Sequence, residues 1–214
     1  AVGSIVSAKD SASQLDFGEA GKNFDSARNN FEQARSEVGQ ISSLLFTFGK
    51  IVPNKNIKLA SYADAILEAG SISASLGNHL TTALSSVSAD DKSVKSVVES
   101  FYENSRLSSG EAKKLSEIVN SINPDYLPDE YKEKFTTLKD KTIILEESLV
   151  EFVDILEKAR IFLGFEYDKR YLLVFQNNTE LRASGGFIGS YAIVDFRNGE
   201  IRNIEAPGGG SYDT

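Results

Sequence analysis

Between Gln176 and Gly189 the chain gathers the groups best suited to chemistry. Asn177, Asn178, Glu180 and Arg182 fall within six residues, and Ser184-Gly185-Gly186-Phe187-Ile188-Gly189 follows. Glycines at this spacing let successive backbone N–H groups converge on an anion. The Arg182 guanidinium adds a fork that can grip a phosphate or carboxylate through two parallel hydrogen bonds. The expected ligand-binding set is therefore Asn177, Asn178, Glu180, Arg182, Gly185, Gly186 and Gly189. The same residues admit a plainer use: the glycines permit a tight turn and a close strand approach, while Glu180 pairs with Arg182. Neither the phosphate-loop nor the dinucleotide fingerprint is matched, because no Gly-Lys-Ser/Thr occurs and no strand-turn-helix follows.

Elsewhere the chemical inventory is thin. The chain has no cysteine, which removes disulfides, thiolate metal sites and cysteine nucleophiles together. His79 is the single histidine, and it lies beside helix-patterned Leu76 and Leu80. A metal needs three or four converging ligands, so His79 reads as a boundary residue. No nucleophile constellation is present, no catalytic residue is assigned and no cofactor or metal is expected. Asn177-Asn178-Thr179 has the form of a glycosylation acceptor, a common triplet.

The loop is set between strands. Tyr171-Leu172-Leu173-Val174-Phe175 is a short apolar run bounded by polar residues, as in a buried strand. Ser190 to Phe196 alternates, and Asn198-Gly199 is a strong hairpin signal. A two-residue turn there sets Arg197 against Glu200, Phe196 against Ile201 and Asp195 against Arg202. That gives two opposite-charge pairs and one apolar pair. The third strand continues through Ile204 and ends before Pro207. Three strands leave exposed edges and an uncovered face. The chain thus reads as unfinished at Thr214, its sheet completed by the remainder of its own polypeptide or by another protein chain. A homo-oligomer is one such arrangement.

Before the strands run four heptad-patterned segments. In the first, about Ser11 to Phe48, Phe17, Ala20, Phe24, Ala27, Phe31, Ala34, Val38, Ile41, Leu45 and Phe48 step by three and four. After Gly49 and Pro53 the second carries Leu59, Tyr62, Ile66, Ala69, Ser73, Leu76, Leu80, Ala83 and Val87, with Gly70 and Gly77 allowing close helix approach. Ser88-Ala89-Asp90-Asp91 resembles a capping box before the third, whose seam runs from Val94 to Ile122 and is weakest at Ser105 to Gly110. Pro124 and Pro128 mark a turn. Asp129 caps a fourth segment that runs to Leu163, and Gly164 sits where a C-terminal glycine belongs. Four helices of ~30–38 residues with short connections predict antiparallel neighbours, in an up-down-up-down bundle or two stacked helical hairpins. No unit recurs at the ~34-residue period of a tetratricopeptide array.

Composition narrows the class further. The chain of 214 residues has 41% hydrophobic and 25% charged residues, ordinary for a globular protein. A net charge of −8 without a basic cluster excludes nucleic acid as the expected partner. No apolar window is long enough to span a membrane. The chain begins at Ala1 and contains no Met, so it reads as a processed or truncated product. The opening AVGSIVSA then fits the remnant of a removed signal or anchor, the one expected link to a membrane.

Arg170-Tyr171-Leu172-Leu173-Val174-Phe175-Gln176-Asn177-Asn178, then Glu180-Leu181-Arg182, then Gly185-Gly186-Phe187-Ile188-Gly189-Ser190 closely resemble the signature of a bacterial family known as domain of unknown function 4012. Its members carry a helical stretch like Phe17 to Ala34 before the signature. The resemblance implies an extracytoplasmic protein anchored by one N-terminal transmembrane helix, and it brings no established activity. A fainter similarity reaches the LytR–CpsA–Psr phosphotransferases, which move glycopolymers from polyprenyl-pyrophosphate carriers. Arg182, Pro207 and Asp213-Thr214 match their pattern. No Asp follows Arg182 at the expected place, and Gly208-Gly209-Gly210-Ser211-Tyr212 replaces an arginine-bearing step.

The expected architecture is α+β: a long antiparallel four-helix bundle over 1–165, and over 166–214 a partial three-stranded sheet of the α/β type. The expected role is a cell-envelope protein, structural or interacting, in which a helical stalk presents a glycine-rich loop domain. The other reading is a LytR–CpsA–Psr-like phosphotransferase or a polyprenyl-phosphate or other anionic-ligand binding domain.

Overall fold

The structure is a computed structural model that describes residues 1–51, 62–88, 93–180 and 185–207, with the helical backbone alone over 39–51. Among these residues there are five α-helices: α1 (Val2–Ser13), α2 (Phe17–Ile51), α3 (Ala63–Ser85), α4 (Val94–Ser121) and α5 (Asp129–Phe162). A 3-10 turn (Pro124–Tyr126) precedes α5, and strands β1 (Lys169–Asn177), β2 (Phe187–Arg197) and β3 (Glu200–Glu205) follow it. The α+β class is as expected. The chain divides into two compact units, Ala1–Asp90 with Ser100–Asp154, and Asp91–Glu99 with Ile155–Thr214.

In the first unit, the heptad segment expected to be one helix from Ser11 is broken. Leu15 adopts a left-handed backbone (φ 62°), and the Asp16 carboxylate accepts the Glu19 N–H at 2.9 Å. Asp16 thus caps α2, and the residues before it form the separate helix α1. Helices α2 and α3 run antiparallel, since Phe24 meets Gly77 and Phe31 meets Gly70.

The buried residues of α3 include Ala83 of the expected seam, but most lie beside that seam. Ser71, Ala74, Ser75 and Thr81 are buried, whereas Ile66, Leu80 and Val87 are 43%, 58% and 60% exposed. Small residues let the two backbones approach, as expected of Gly70 and Gly77, which receive the Phe31 and Phe24 rings of α2. Polar pairs lace the same region. Arg35 reaches Asp64 (2.8 Å) and Glu68 (2.7 Å), Ser71 donates to Glu32 (3.2 Å), and Asn78 donates to Asp25 (2.8 Å). The Asp64 hydrogen bond, with Glu68 beside it, raises the Arg35 pKa above its ordinary value.

Helix α4 runs unbroken through Ser105 to Gly110, where Ser105 and Ser108 are buried. Its first turn is closed by Ser93, whose hydroxyl accepts the Ser96 N–H at 3.1 Å. The capping serine is therefore Ser93 rather than Ser88. Pro53, Leu59, and Ala89 to Asp91 of the expected capping box lie outside the described residues.

In the second unit, α5 ends on Gly164 (φ 70°), with the Gly164 N–H on Ile161 O (3.2 Å) and the Phe165 N–H on Arg160 O (3.1 Å). This is the Schellman pattern expected of a helix-ending glycine. The hairpin turn completes it: Asn198 N–H donates to Gly164 O (3.0 Å) and Gly199 N–H to Leu163 O (2.9 Å). The Tyr171 hydroxyl donates to Phe162 O at 2.8 Å. Lys95 adds a clasp, donating to Phe165 O (3.2 Å) and Asn198 Oδ1 (2.9 Å).

The sheet has the order β1-β2-β3 and is antiparallel throughout. Asn198 (φ 54°) and Gly199 (φ 82°) both take the left-handed backbone of a type I′ hairpin turn. Arg197 opposes Glu200 and Phe196 opposes Ile201 as expected, but Asp195 opposes Asn203. A register shift leaves Arg202 as the extra residue of a bulge, which overturns the expected Asp195–Arg202 pair. A second shift leaves Gly189 unpaired between Ser190 and Ile188.

Candidate functional site

At the open end of the β1–β2 pair, Asn177 closes β1. Its Oδ1 accepts both the Thr179 N–H (3.1 Å) and the Thr179 hydroxyl (2.7 Å). The side chain of Asn177 is thus committed to a local turn in which Thr179 is the partner. Asn178 and Glu180 are exposed. Leu181 to Ser184, and so Arg182, lie outside the described residues, as does any Glu180–Arg182 pair.

The three glycines of the expected set differ in what holds them. Gly185 has φ 96°, which a side chain rarely adopts. Gly186 is buried, and a Cβ there would stand 2.5 Å from Gln176 Nε2 and 2.9 Å from the Asn177 carbonyl oxygen. Gly189, the bulge residue, has no foreign atom within 3.8 Å of a Cβ position. Gly186 therefore lets β2 begin against β1, which is the turn-shaping use of this loop. Asn177, Gln176 and Gly186 are brought together.

A second set of groups was not singled out from sequence. Across one sheet face, Arg170 holds Asp195 through Nε (2.6 Å) and a terminal nitrogen (2.8 Å). Arg197 holds Asp168 through Nε (2.9 and 2.8 Å) and also through a terminal nitrogen. Hydrogen bonds from these guanidinium groups lower the pKa of both carboxyls below the ordinary range. With Lys169 and Arg202 they line a groove of about 660 Å³. Its signal in the sequence is the pair Asp168-x-Arg170 and Asp195-x-Arg197. Each puts opposite charges on one strand face, and antiparallel pairing sets them against each other.

Beyond the ladder the sheet is apolar and open. Leu172 (63%) and Val174 (46%) share the ladder's face, while Leu173, Phe175, Ile201 and Ile204 are exposed on the other. Only Ala192 and Val194 of the central strand are buried within it. The end of this second face is covered, where Phe162 stacks on Tyr171 (4.7 Å) and meets Phe196 (5.7 Å).

His79 stands 3.5 Å from Glu111. Among the described residues no three His, Asp or Glu side chains converge in a way that would hold a metal. None of the described helices is long and apolar enough to cross a membrane.

Residues 166–212 match the family described as "Protein of unknown function (DUF4012)". The match covers all three strands and bears out the family resemblance read from Arg170 to Ser190. No curated protein and no solved structure matches the chain.

Proposed function

We propose, starting from the family match over the three strands, that the protein acts at the cell envelope outside the cytoplasm, in a structural or interaction role. In this reading 1–165 is a helical support closing as a four-helix bundle, and 166–214 is a binding domain whose sheet takes a further strand. That strand comes from the rest of its own polypeptide or from another chain. One N-terminal transmembrane anchor ties the parent protein to the membrane. The observation that carries the interaction role is the sheet itself, with both outer edges unpaired among the described residues and Leu172, Phe175, Ile201 and Ile204 more than half exposed. Such a sheet is a ready template for strand addition. The antiparallel approach of α2 and α3 supports the bundle.

Because the chain has no cysteine, single introduced thiols report cleanly. Gln14→Cys, on an exposed position, is expected to react with a membrane-impermeant maleimide on intact source cells. Labelling of this thiol only after lysis removes the envelope assignment. Leu172→Cys is expected to react at least ~10-fold more slowly on cells than in the dilute purified chain, because a covered sheet excludes the reagent. Equal rates in the two settings remove the added strand.

A second reading is favoured by the left-handed Gly185 backbone beside the Arg182 segment. Here the loop binds an anion such as a polyprenyl phosphate, as in the LytR–CpsA–Psr-like pattern, with or without phosphotransfer. Arg182→Ala is expected to abolish retention of polyprenyl-phosphate vesicles while leaving the circular dichroism unchanged. Equal retention by both proteins, or none by the wild type, excludes it.

A further inference from the structure

Helices α3, α4 and α5 of the first unit leave an apolar cleft of about 460 Å³ between them, walled by Ile66, Leu115, Val119, Ile122, Phe135 and Leu138 among others. A second cleft, of about 340 Å³, follows along the same helices between Leu76, Leu80, Phe101, Leu145, Leu149 and Phe152. Large seam residues of α3 and α5 therefore border open space: Ile66 and Leu80, with Leu138, Leu145 and Phe152, are between 38% and 58% exposed. The larger cleft has the volume of a small-molecule site, about 300–1,000 Å³, and the apolar walls such sites have.

Size and lining decide what fits it. A helix about 10 Å across has a section of about 80 Å², so this volume would take only about one turn. An extended peptide brings N–H and C=O groups that need partners. The side chains here offer only the hydroxyls of Ser73 and Tyr131 and the ammonium of Lys134. An alkyl chain asks for none. Lys134 is the single charged residue of the lining, and it is exposed, which sets it at the mouth of the cleft. Its neighbours along α5 are committed: Lys132 pairs with Asp129 (2.6 Å), and Lys139 donates to the carbonyls of Asn120 (3.3 Å) and Ile122 (3.5 Å). Lys134 has no such partner among the described residues, so an unpaired cation stands over an apolar cleft.

We infer that this cleft binds a single-chain amphiphile with an anionic head, of the long-chain fatty acid class. The alkyl chain lies among Ile66, Leu115, Val119 and Phe135, and its burial supplies the affinity. The head pairs with the Lys134 ammonium through a charge-assisted hydrogen bond, which fixes its direction. This is a ligand site of the helical unit, built without any residue of the Gln176–Gly189 loop.

The test is fluorescence titration of the delipidated 214-residue chain with dansyl-undecanoate. The wild type is expected to bind the probe with micromolar affinity and to release it to laurate below the micellar concentration. Dodecyl phosphate forms the second arm: displacement by either anion supports the site, and the tighter of the two names the head. Lys134→Gln is expected to weaken laurate about 3–10-fold and to leave displacement by dodecanol unchanged, because only the head loses its partner. Ala69→Phe fills the cleft from α3 and is expected to weaken laurate and dodecanol alike, at least ~10-fold. Unchanged circular dichroism identifies folded variants. A wild type that does not bind the probe overturns the inference, as does laurate binding that a folded Ala69→Phe protein retains in full. Equal loss of laurate and dodecanol in Lys134→Gln overturns the pairing of the head. A wild type that sediments as a dimer, and as a monomer after Ala69→Phe, gives the cleft to a second copy and overturns it too.

Discussion

Gly164→Ala is expected to destabilise the strand-bearing unit by about 2–3 kcal/mol, among the largest single effects in the chain. Two costs combine at this position. The backbone is left-handed at φ 70°, which an L side chain adopts only with strain. An added Cβ would also lie 2.8 Å from the Phe196 carbonyl oxygen and 3.2 Å from that of Tyr167. Backbone atoms cannot rotate aside, so β2 must shift, taking with it the Asn198 and Gly199 N–H groups that close the helix end. Gly164→Asn separates the terms, because asparagine tolerates the left-handed region while retaining the Cβ. It should recover only part of the loss. Chemical denaturation gives the stability, and amide exchange at Asn198 and Gly199 locates the damage. A Gly164→Ala protein within about 0.5 kcal/mol of wild type contradicts the close approach of β2 to this turn.

The second large effect is expected at Gly77. Its Cβ would stand 2.6 Å from both Cδ1 and Cζ of Phe24, and Gly70 repeats the arrangement one heptad away against Phe31. In an exposed helix Gly→Ala gains about 1 kcal/mol of propensity. Overpacking against a ring costs about 1–3 kcal/mol, so Gly77→Ala is expected to lose on balance, by up to about 2 kcal/mol. The sign should reverse once the ring is gone. In a Phe24→Ala background, Gly77→Ala is expected to stabilise by up to about 1 kcal/mol, because only the propensity term remains. A double-mutant cycle by urea denaturation measures this coupling. Additive substitutions would mean that the ring does not rest on Gly77.

Features governed by one local rule were legible in the sequence. Asn198-Gly199 specified its turn because few dipeptides tolerate two left-handed residues in succession. Gly164 marked a helix end for the same steric reason. Features that depend on how two elements meet were less accessible. Asp195 lost its expected partner because one extra residue, Arg202, shifts the register, and nothing in Glu200-Ile201-Arg202-Asn203 announces a bulge. On α3 the large seam residues Ile66 and Leu80 are exposed while small ones, Ser71, Ala74, Ser75 and Ala83, are buried, and Gly70 and Gly77 admit the rings of α2 as their size allows. At Asp16 the spacing from Phe17 onward concealed a cap from a periodicity argument.

The candidate loop was legible as a loop. Its internal economy was less so. The Asn177 carboxamide oxygen accepts from Thr179, a use that the Asn-x-Thr pattern describes as well as a ligand contact does. The ladder of Arg170, Asp195, Arg197 and Asp168 went unnoticed because each pair is distant in sequence and becomes adjacent only in the antiparallel register.

The docking of the hairpin turn on α5 also orders events in time. The carbonyls of Leu163 and Gly164 receive their donors from Asn198 and Gly199, which are synthesised later. As the chain leaves the ribosome, the tip of α5 therefore stays solvated until the Asn198–Gly199 turn has emerged and closed. The last step in finishing this helix is the folding of a hairpin, and a nascent chain arrested before Gly199 carries an unsealed helix end.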